Sequence, residues 1–230
     1  MSAQRCRAAA TPPSRTSPWI KVCGVCTLLD LEACAGAGAT HVGINTWRRS
    51  PRYVPLERVQ PLVLVAVQMR LVPVLIVVDG SFSSEELAAS LPVSFVQMLV
   101  PPREALRRRL AERGCGIVEA RPARPETIGR QTWGDVLLLD SFAPNHPGGT
   151  GRSFRWELAR TAGAPFVIAG GLNPDNVADA IATCAPAGVD AASGLESRAG
   201  VKDAGRIRAF CAAAMDGFRC AQRKEGHHAF

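Results

Sequence analysis

From Trp19 to about residue 215 the chain alternates short apolar runs with longer amphipathic stretches, and the pair repeats as a unit. The apolar runs are WIKVC (19–23), THVGIN (40–45), PVLIVVD (73–79), VSFVQM (93–98), CGIVEA (115–120), DVLLLD (135–140), PFVIAG (165–170) and AGVDAAS (187–193). Short runs bounded by Gly, Pro and polar residues have the signature of strands. Helical spacing follows each one, over 28–37, 55–67, 83–90, 103–113, 124–131, 153–162, 174–184 and 203–215. Pro174 with Asp175 in a first turn, and Asp203 ahead of the last stretch, are helix start signals. The fifth helix is the weakest, because Pro122 and Pro125 crowd it.

Eight strand–helix units in roughly 200 residues predict the α/β class and a single (β/α)8 TIM barrel. Runs such as LIVV and VLLL lack alternation, as parallel strands covered on both faces should. An open, doubly wound sheet is the alternative, since a strand count alone does not prove closure. The barrel domain is expected over 19–215, between an extension at 1–18 and a tail at 216–230 that frays. The extension is acid-free, with Arg5, Arg7 and Arg15 among Ser, Thr and Pro. That composition reads as disorder with a weak transit-peptide character. No apolar run reaches the ~18 residues of a membrane span.

Charge narrows the partners. Lys and Arg number 27 against 20 Asp and Glu, a net +7. Such a balance suits an anionic small molecule or nucleic acid. Basic residues are interleaved with acidic ones, however, and the four Trp and single Tyr form no stacking repeat. The Arg-rich stretch 103–113 reads as a solvated helix face. A small phosphorylated partner is therefore expected, with neither nucleic acid nor membrane. Eight cysteines in 230 residues are too sparse for a disulfide scaffold, and a reducing, cytoplasmic setting fits them. Cys34, Cys184 and Cys211 lie in Ala-rich helices and act as small hydrophobes.

In a barrel of this kind, chemistry gathers where each strand passes into its following loop. Cys23, Asp140 and Asp190 stand at or near such ends. A period of two puts Trp19, Lys21 and Cys23 on one strand face. If that face is the interior, the Lys21 ammonium lies below the thiol and favours its thiolate. The spacing Cys23–Cys26 also fits a metal or redox pair. A zinc site needs two further ligands, though, and no second C-x-x-C or H-x3-H is present. A catalytic thiol at Cys23 and a buried inert one remain open. Asp140 closes an apolar run, where burial raises a carboxyl pKa toward that of a general acid. Alternatively it caps the next turn with Ser141. Asp190 either holds a sugar hydroxyl or orients loops.

The turns AGGLNPDN (169–176) and ASGLES (192–197) follow consecutive strands, and HPGGTG (146–151) follows the sixth. Gly170, Gly171, Ser193 and Gly194 in adjacent loops predict a phosphate cradle, since an anion approaching the backbone leaves no room for a Cβ. Plain tight turns are the competing reading.

Several motifs in order are similar to the phosphoribosylanthranilate isomerase family. IKVCG (20–24) resembles its first strand, and HVGIN with SPRYV (41–54) its second strand and loop. VLLLDS with GGTGRSFRW (136–156) matches the sixth unit, and IAGGLNPDNVADAI with GVDAASGLES (168–197) the seventh and eighth. The resemblance implies an Amadori rearrangement with no metal or organic cofactor, with Asp140 as general acid and a Cys23 thiolate as general base. It also implies that Arg52 pairs with the anthranilate carboxylate, that Gly170, Gly171, Ser193 and Gly194 cradle the phosphate, and that Asp190 contacts the sugar. A monomer or homodimer is expected. Leu99-Val100 stands where the family usually has His-Gly, which makes that wall of the site apolar. A related barrel acting on another phosphorylated aminosugar, or a non-catalytic anion- or nucleic-acid-binding barrel, is the alternative.

Overall fold

The computed structural model describes residues 11–14, 16–78, 82–141 and 155–226. Eight strands close into one parallel barrel in the order β1 to β8, which excludes the open sheet. They are β1 (Trp19–Cys23), β2 (His41–Asn45), β3 (Val72–Val77), β4 (Phe95–Met98), β5 (Gly116–Pro122), β6 (Val136–Asp140), β7 (Phe166–Ile168) and β8 (Gly188–Ala191). Closure pairs the first strand with the last, with Trp19 opposite Gly188 and Lys21 opposite Asp190.

Helices α1 (Leu28–Ala37), α2 (Leu56–Gln68), α3 (Phe82–Ser90) and α4 (Glu104–Glu112) cover the first four strands. Thr27 opens α1 with a capping box, its side chain accepting from the Asp30 N–H while the Asp30 carboxylate takes the Thr27 N–H. The next two connections shrink. α5 spans only Pro125–Ile128, and Trp156–Thr161 forms a 3₁₀ helix in place of an α-helix. After β7 comes α6 (Val177–Cys184), and after β8 a 3₁₀ turn (Ser193–Leu195) and a hairpin of β9 (Glu196–Arg198) with β10 (Val201–Lys202). The last helix, α7 (Ala204–Gly226), packs on α6 and α1.

Two expectations at the chain ends change. The tail from 216 does not fray at once: Ile207, Phe210, Cys211, Ala214 and Phe218 form one buried stripe that carries α7 to Gly226. At the other end Pro13 is buried, and Pro12 and Pro13 line a small cavity with residues 134–137 and 164–165 at the starts of β6 and β7. Residues 11–14 therefore lie against the base of the barrel.

The barrel interior is layered. At its base Trp19 stacks on His41, with ring centroids 3.9 Å apart, and meets Phe95 edge-on at 4.7 Å. Gly188 admits the indole, because a Cβ there would sit 2.7 Å from that of Trp19. Val74, Val118, Ala120, Val136, Leu138, Val167 and Ala169 complete this inner cluster. Burial, followed by the nearby Lys21 charge, pulls His41 down to about 3, so a neutral imidazole stacks there.

Outside the barrel, β5 carries a charged pair where α5 is too short to cover it. Arg121 bonds Glu119 and donates to the carbonyls of Thr127, Arg130 and Gln131 at 2.8–3.1 Å. Glu119 in turn accepts the Trp133 and Gly134 N–H groups at 2.7 and 3.2 Å. The guanidinium thus substitutes for a missing helix by satisfying the loop's backbone.

Candidate active site

Cys23 is the last residue of β1 and keeps part of its surface at the barrel mouth. Room for its sulfur depends on Gly43 of β2, where a Cβ would lie 3.2 Å from Sγ. Gly24 then turns the chain out of the strand at φ +77°, in the left-handed region. Its missing Cβ is also what allows the Arg52 side chain to lie across it, the Arg52 Cγ coming within 3.0 Å of where that Cβ would stand. Cys26 lies 3.5 Å from the Arg52 carbonyl and 3.6 Å from that of Gly24, and burial pushes its thiol up to about 11. Cys23 and Cys26 are not joined in a disulfide, and among the described residues no cluster of three or more His, Cys, Asp or Glu has metal-site geometry.

Directly below Cys23, the Lys21 side chain is fully buried. Its ammonium donates to Asp190 Oδ2 at 2.8 Å and to Gln97 Oε1 at 3.0 Å. Burial alone would strip the proton from this lysine, but the Asp190 carboxylate and the Cys23 sulfur outweigh it, and its pKa ends above the ordinary value. The interior face proposed for Lys21 is the one observed. Its effect on the thiol is smaller than expected. Burial pushes Cys23 above the ordinary thiol value, and the cations Lys21, Lys202 and Arg52 reduce that rise without reversing it. The cations thus favour the thiolate and burial opposes it.

Asp140 ends β6, with its carboxyl raised to about 6 by burial first and by the Asp190 charge second. Ser141 Oγ makes only a long contact of 3.4 Å to Oδ1. The Ser141 backbone N–H also bonds the carboxyl, and the loop that follows lies outside the described residues. Asp190 itself is buried, and its Oδ1 has no hydrogen-bond partner among the described residues.

The glycine loops come together as the strand order requires. Gly170 and Gly171 have φ of +90° and +68°. A Cβ on Gly170 would meet Ser141 Cβ at 2.6 Å, and one on Gly194 would strike the Leu172 carbonyl. Close approach of backbone to backbone thus already demands glycine at both positions. Asn173 and Asn176 brace the seventh loop: Asn176 accepts the Asn173 N–H at 2.9 Å and donates to the Gly171 carbonyl at 3.0 Å. Ser193 begins the 3₁₀ turn beside this loop. The third Gly-rich turn, 146–151, lies outside the described residues.

Arg52 is already engaged within the protein. Its Nε and Nη2 donate to Glu196 at 2.6 and 2.8 Å, and Lys202 donates to the same carboxylate at 2.8 Å. Nη1 has no protein partner among the described residues. The β9–β10 hairpin is thereby tied to the loop after β2, where a Cβ on Gly200 would collide with the Pro51 carbonyl. Glu196, Lys202, Gln97 and Gly43 all escape sequence reasoning. Only Gln97 gives a local signal, an amide at an inward position of an otherwise apolar strand. Leu99, two residues on, is partly buried against the inner cluster.

A family model of N-(5'-phosphoribosyl)anthranilate isomerase matches residues 20–213. The N-(5'-phosphoribosyl)anthranilate isomerase of Erythrobacter litoralis is 38% identical over 207 residues, covering 86% of this chain and 98% of the relative. That of Pseudomonas aeruginosa is 34% identical over 222 residues, covering 90% and 97%. The solved structure of TrpF from Jonesia denitrificans has a TM-score of 0.72 at 32% identity, over 88% of this chain and 98% of that one. A phosphoribosyl anthranilate isomerase in complex with reduced 1-(o-carboxyphenylamino)-1-deoxyribulose 5-phosphate has a TM-score of 0.68 at 26% identity, over 86% and 99%.

Proposed function

The chain belongs to the N-(5'-phosphoribosyl)anthranilate isomerase family, and we propose that it carries out that Amadori rearrangement in tryptophan biosynthesis with Cys23 as base and Asp140 as acid. The observation that carries this reading is the placement of both groups at the ends of inward-facing strands, β1 and β6, on one rim of a closed barrel.

Asp140, raised to about 6, gives its proton to the ribose ring oxygen as the furanose opens to a Schiff base. The Cys23 sulfur, as thiolate, then removes the proton from the sugar carbon next to the imine carbon. The resulting enolamine tautomerises to the ketone. The iminium is itself the electron sink, so this route calls for no added cofactor. Burial of the thiol makes the productive pair, thiolate with protonated carboxyl, a minority form that the bound cationic imine favours. Arg52 offers its remaining Nη1 edge to the anthranilate carboxylate, with the rest of its fork fixed by Glu196. Gly170, Gly171, Ser193 and Gly194 present backbone N–H groups to the phosphate where loops seven and eight touch. Asp190 accepts a sugar hydroxyl at Oδ1, the oxygen Lys21 does not use. The enzyme works in the cytoplasm as a monomer or homodimer. No helix among the described residues is long and apolar enough to cross a membrane.

Cys23→Ala and Asp140→Asn should each lower turnover by ~10²–10⁴ and fail to complement a tryptophan auxotroph lacking this step. Full activity in either variant overturns the assignment. A second reading is favoured by Leu99, which packs on the apolar inner cluster where the family usually has His. On that reading the substrate is a different N-glycosyl phosphoribosyl amine, and higher kcat/KM with such a compound than with the anthranilate adduct would establish it.

A further inference from the structure

Burial acts on both reactive groups in the same direction, toward the neutral form. That helps an acid and hinders a base, so the acid–base reading above, on which this inference rests, needs an agent that treats the two differently. Between the aromatic base of the barrel and its mouth lies one charged pair with a fixed orientation. Lys21 is two residues before Cys23 on the same inward face of β1, and Asp190 is its direct partner in register on β8. The ammonium has three protons. One goes to Asp190 and one to Gln97, and Cys23 is the next residue along the same inward face of the strand. Gln97 has no charge to cancel that of Lys21, and serves only to hold it. Asp190 leaves Oδ1 without a protein donor among the described residues. The pair therefore shows a positive end to the thiol and an incompletely neutralised negative end to the rest of the site.

We propose that the buried Lys21–Asp190 ion pair, clamped by Gln97, is a positioning element that favours proton loss at Cys23 and proton retention at Asp140. In a poorly screened interior each reactive group responds most to the nearer end of a dipole. Cys23 feels Lys21 more strongly than Asp190, and Asp140 feels Asp190 more strongly than Lys21. The other charged groups facing the thiol are Lys202 from β10 and Arg52 from the loop after β2. Both of these donate to Glu196, which neutralises part of their field. Besides the pair, Asp140 responds to Ser141. His41, beneath Lys21, is uncharged.

Two titrations test this without relying on turnover. The first is the pH dependence of Cys23 alkylation by iodoacetamide, in a Cys26→Ala background and corrected with Cys23→Ala. The second is the titration of the Asp140 carboxyl by carbon NMR, identified by its loss in Asp140→Asn. In Lys21→Met with Asp190→Asn, which removes both charges and leaves no buried ion unpaired, alkylation at pH 7 should slow about tenfold or more. The Asp140 midpoint should fall at the same time. Titrations that stay put while thermal stability changes assign the pair to the scaffold and overturn the proposal. Movement of both groups in one direction overturns it as well. Asp190→Asn alone provides a second route: alkylation should quicken and the Asp140 midpoint drop, and slower alkylation contradicts the idea. Retained turnover in Cys23→Ala or Asp140→Asn is a separate failure, because it removes the base and acid roles while leaving these titrations interpretable.

Discussion

Two buried ion pairs in this barrel use the same ingredients and finish differently. Glu119 and Arg121 lie on the outer face of β5, where their hydrogen bonds to five backbone groups tie down the connection to β6. Lys21 and Asp190 lie inside, with the Gln97 amide as a further hydrogen-bond partner and one carboxylate oxygen unused among the described residues. A charge taken from water must recover its lost solvation from somewhere. The outer pair recovers it from the protein alone. The inner one stops short, and it does so beside the two strand ends to which we assign the chemistry. Completeness of hydrogen bonding thus separates a structural pair from a functional one better than burial does.

The largest expected effect would come from breaking the finished pair. Arg121→Met leaves Glu119 without its cation, held only by the Trp133 and Gly134 N–H groups, and should cost about 3–5 kcal/mol in a denaturant melt, with kcat unchanged in the folded fraction. A comparable fall in kcat would show that the two pairs do not differ in role.

Next in size is Asp140→Asn. The folded carboxyl, at about 6, holds its proton more tightly than the ordinary 3.8. The native state therefore binds more protons than the unfolded one across that window. Stability from this group is complete below about pH 4 and is lost as pH rises through about 6, a cost approaching about 3 kcal/mol at neutral pH. Asn carries no such cost, so the variant should be more stable than the parent at pH 8 and equal to it at pH 4, while losing turnover. On the proposed mechanism, the active form of the parent holds one proton shared between Asp140 and Cys23. Its kcat/KM should accordingly rise through about pH 6, a limb that the Asn variant lacks.

Smaller still, Gly194→Ala pushes the eighth loop off the Leu172 carbonyl. KM for the phosphorylated substrate should rise about tenfold, and the melting temperature should fall by several degrees, the scale of an overpacking strain of about 1–3 kcal/mol. Cys26→Ala should change turnover by less than about twofold, because this thiol makes only long contacts to two carbonyls.

Much of the fold was legible because the signals are local. WIKVC and LLDLEACAGA predict β1 and α1 to the residue, since one is a compact apolar run and the other opens on a capping box. The connections around β5 and β6 were over-read as full helices. Pro122 and Pro125 confine α5 to a single turn, and Arg121 does the covering instead. The end of α7 was under-read because Phe218 continues the stripe of Phe210, Cys211 and Ala214 one turn beyond an Ala-rich stretch that gives little contrast. In the site, Cys23, Asp140 and Asp190 were visible as reactive residues near strand ends. The engagement of Arg52 was not, since Glu196 lies 144 positions away and nothing near either residue announces the other. The glycines were found, but the reason was incomplete: Gly170 and Gly194 make room for Ser141 and Leu172 before any ligand arrives.

The bond between Lys21 and Asp190 spans 169 positions and joins the first strand to the last. A nascent chain that has emitted seven strands still holds a naked lysine facing a greasy cylinder, with its counter-ion not yet made. Half-built barrels are penalised in proportion, and the final seam closes with electrostatic relief as well as backbone pairing. The contact we propose as tuning the reaction would then also be the latch that completes the barrel.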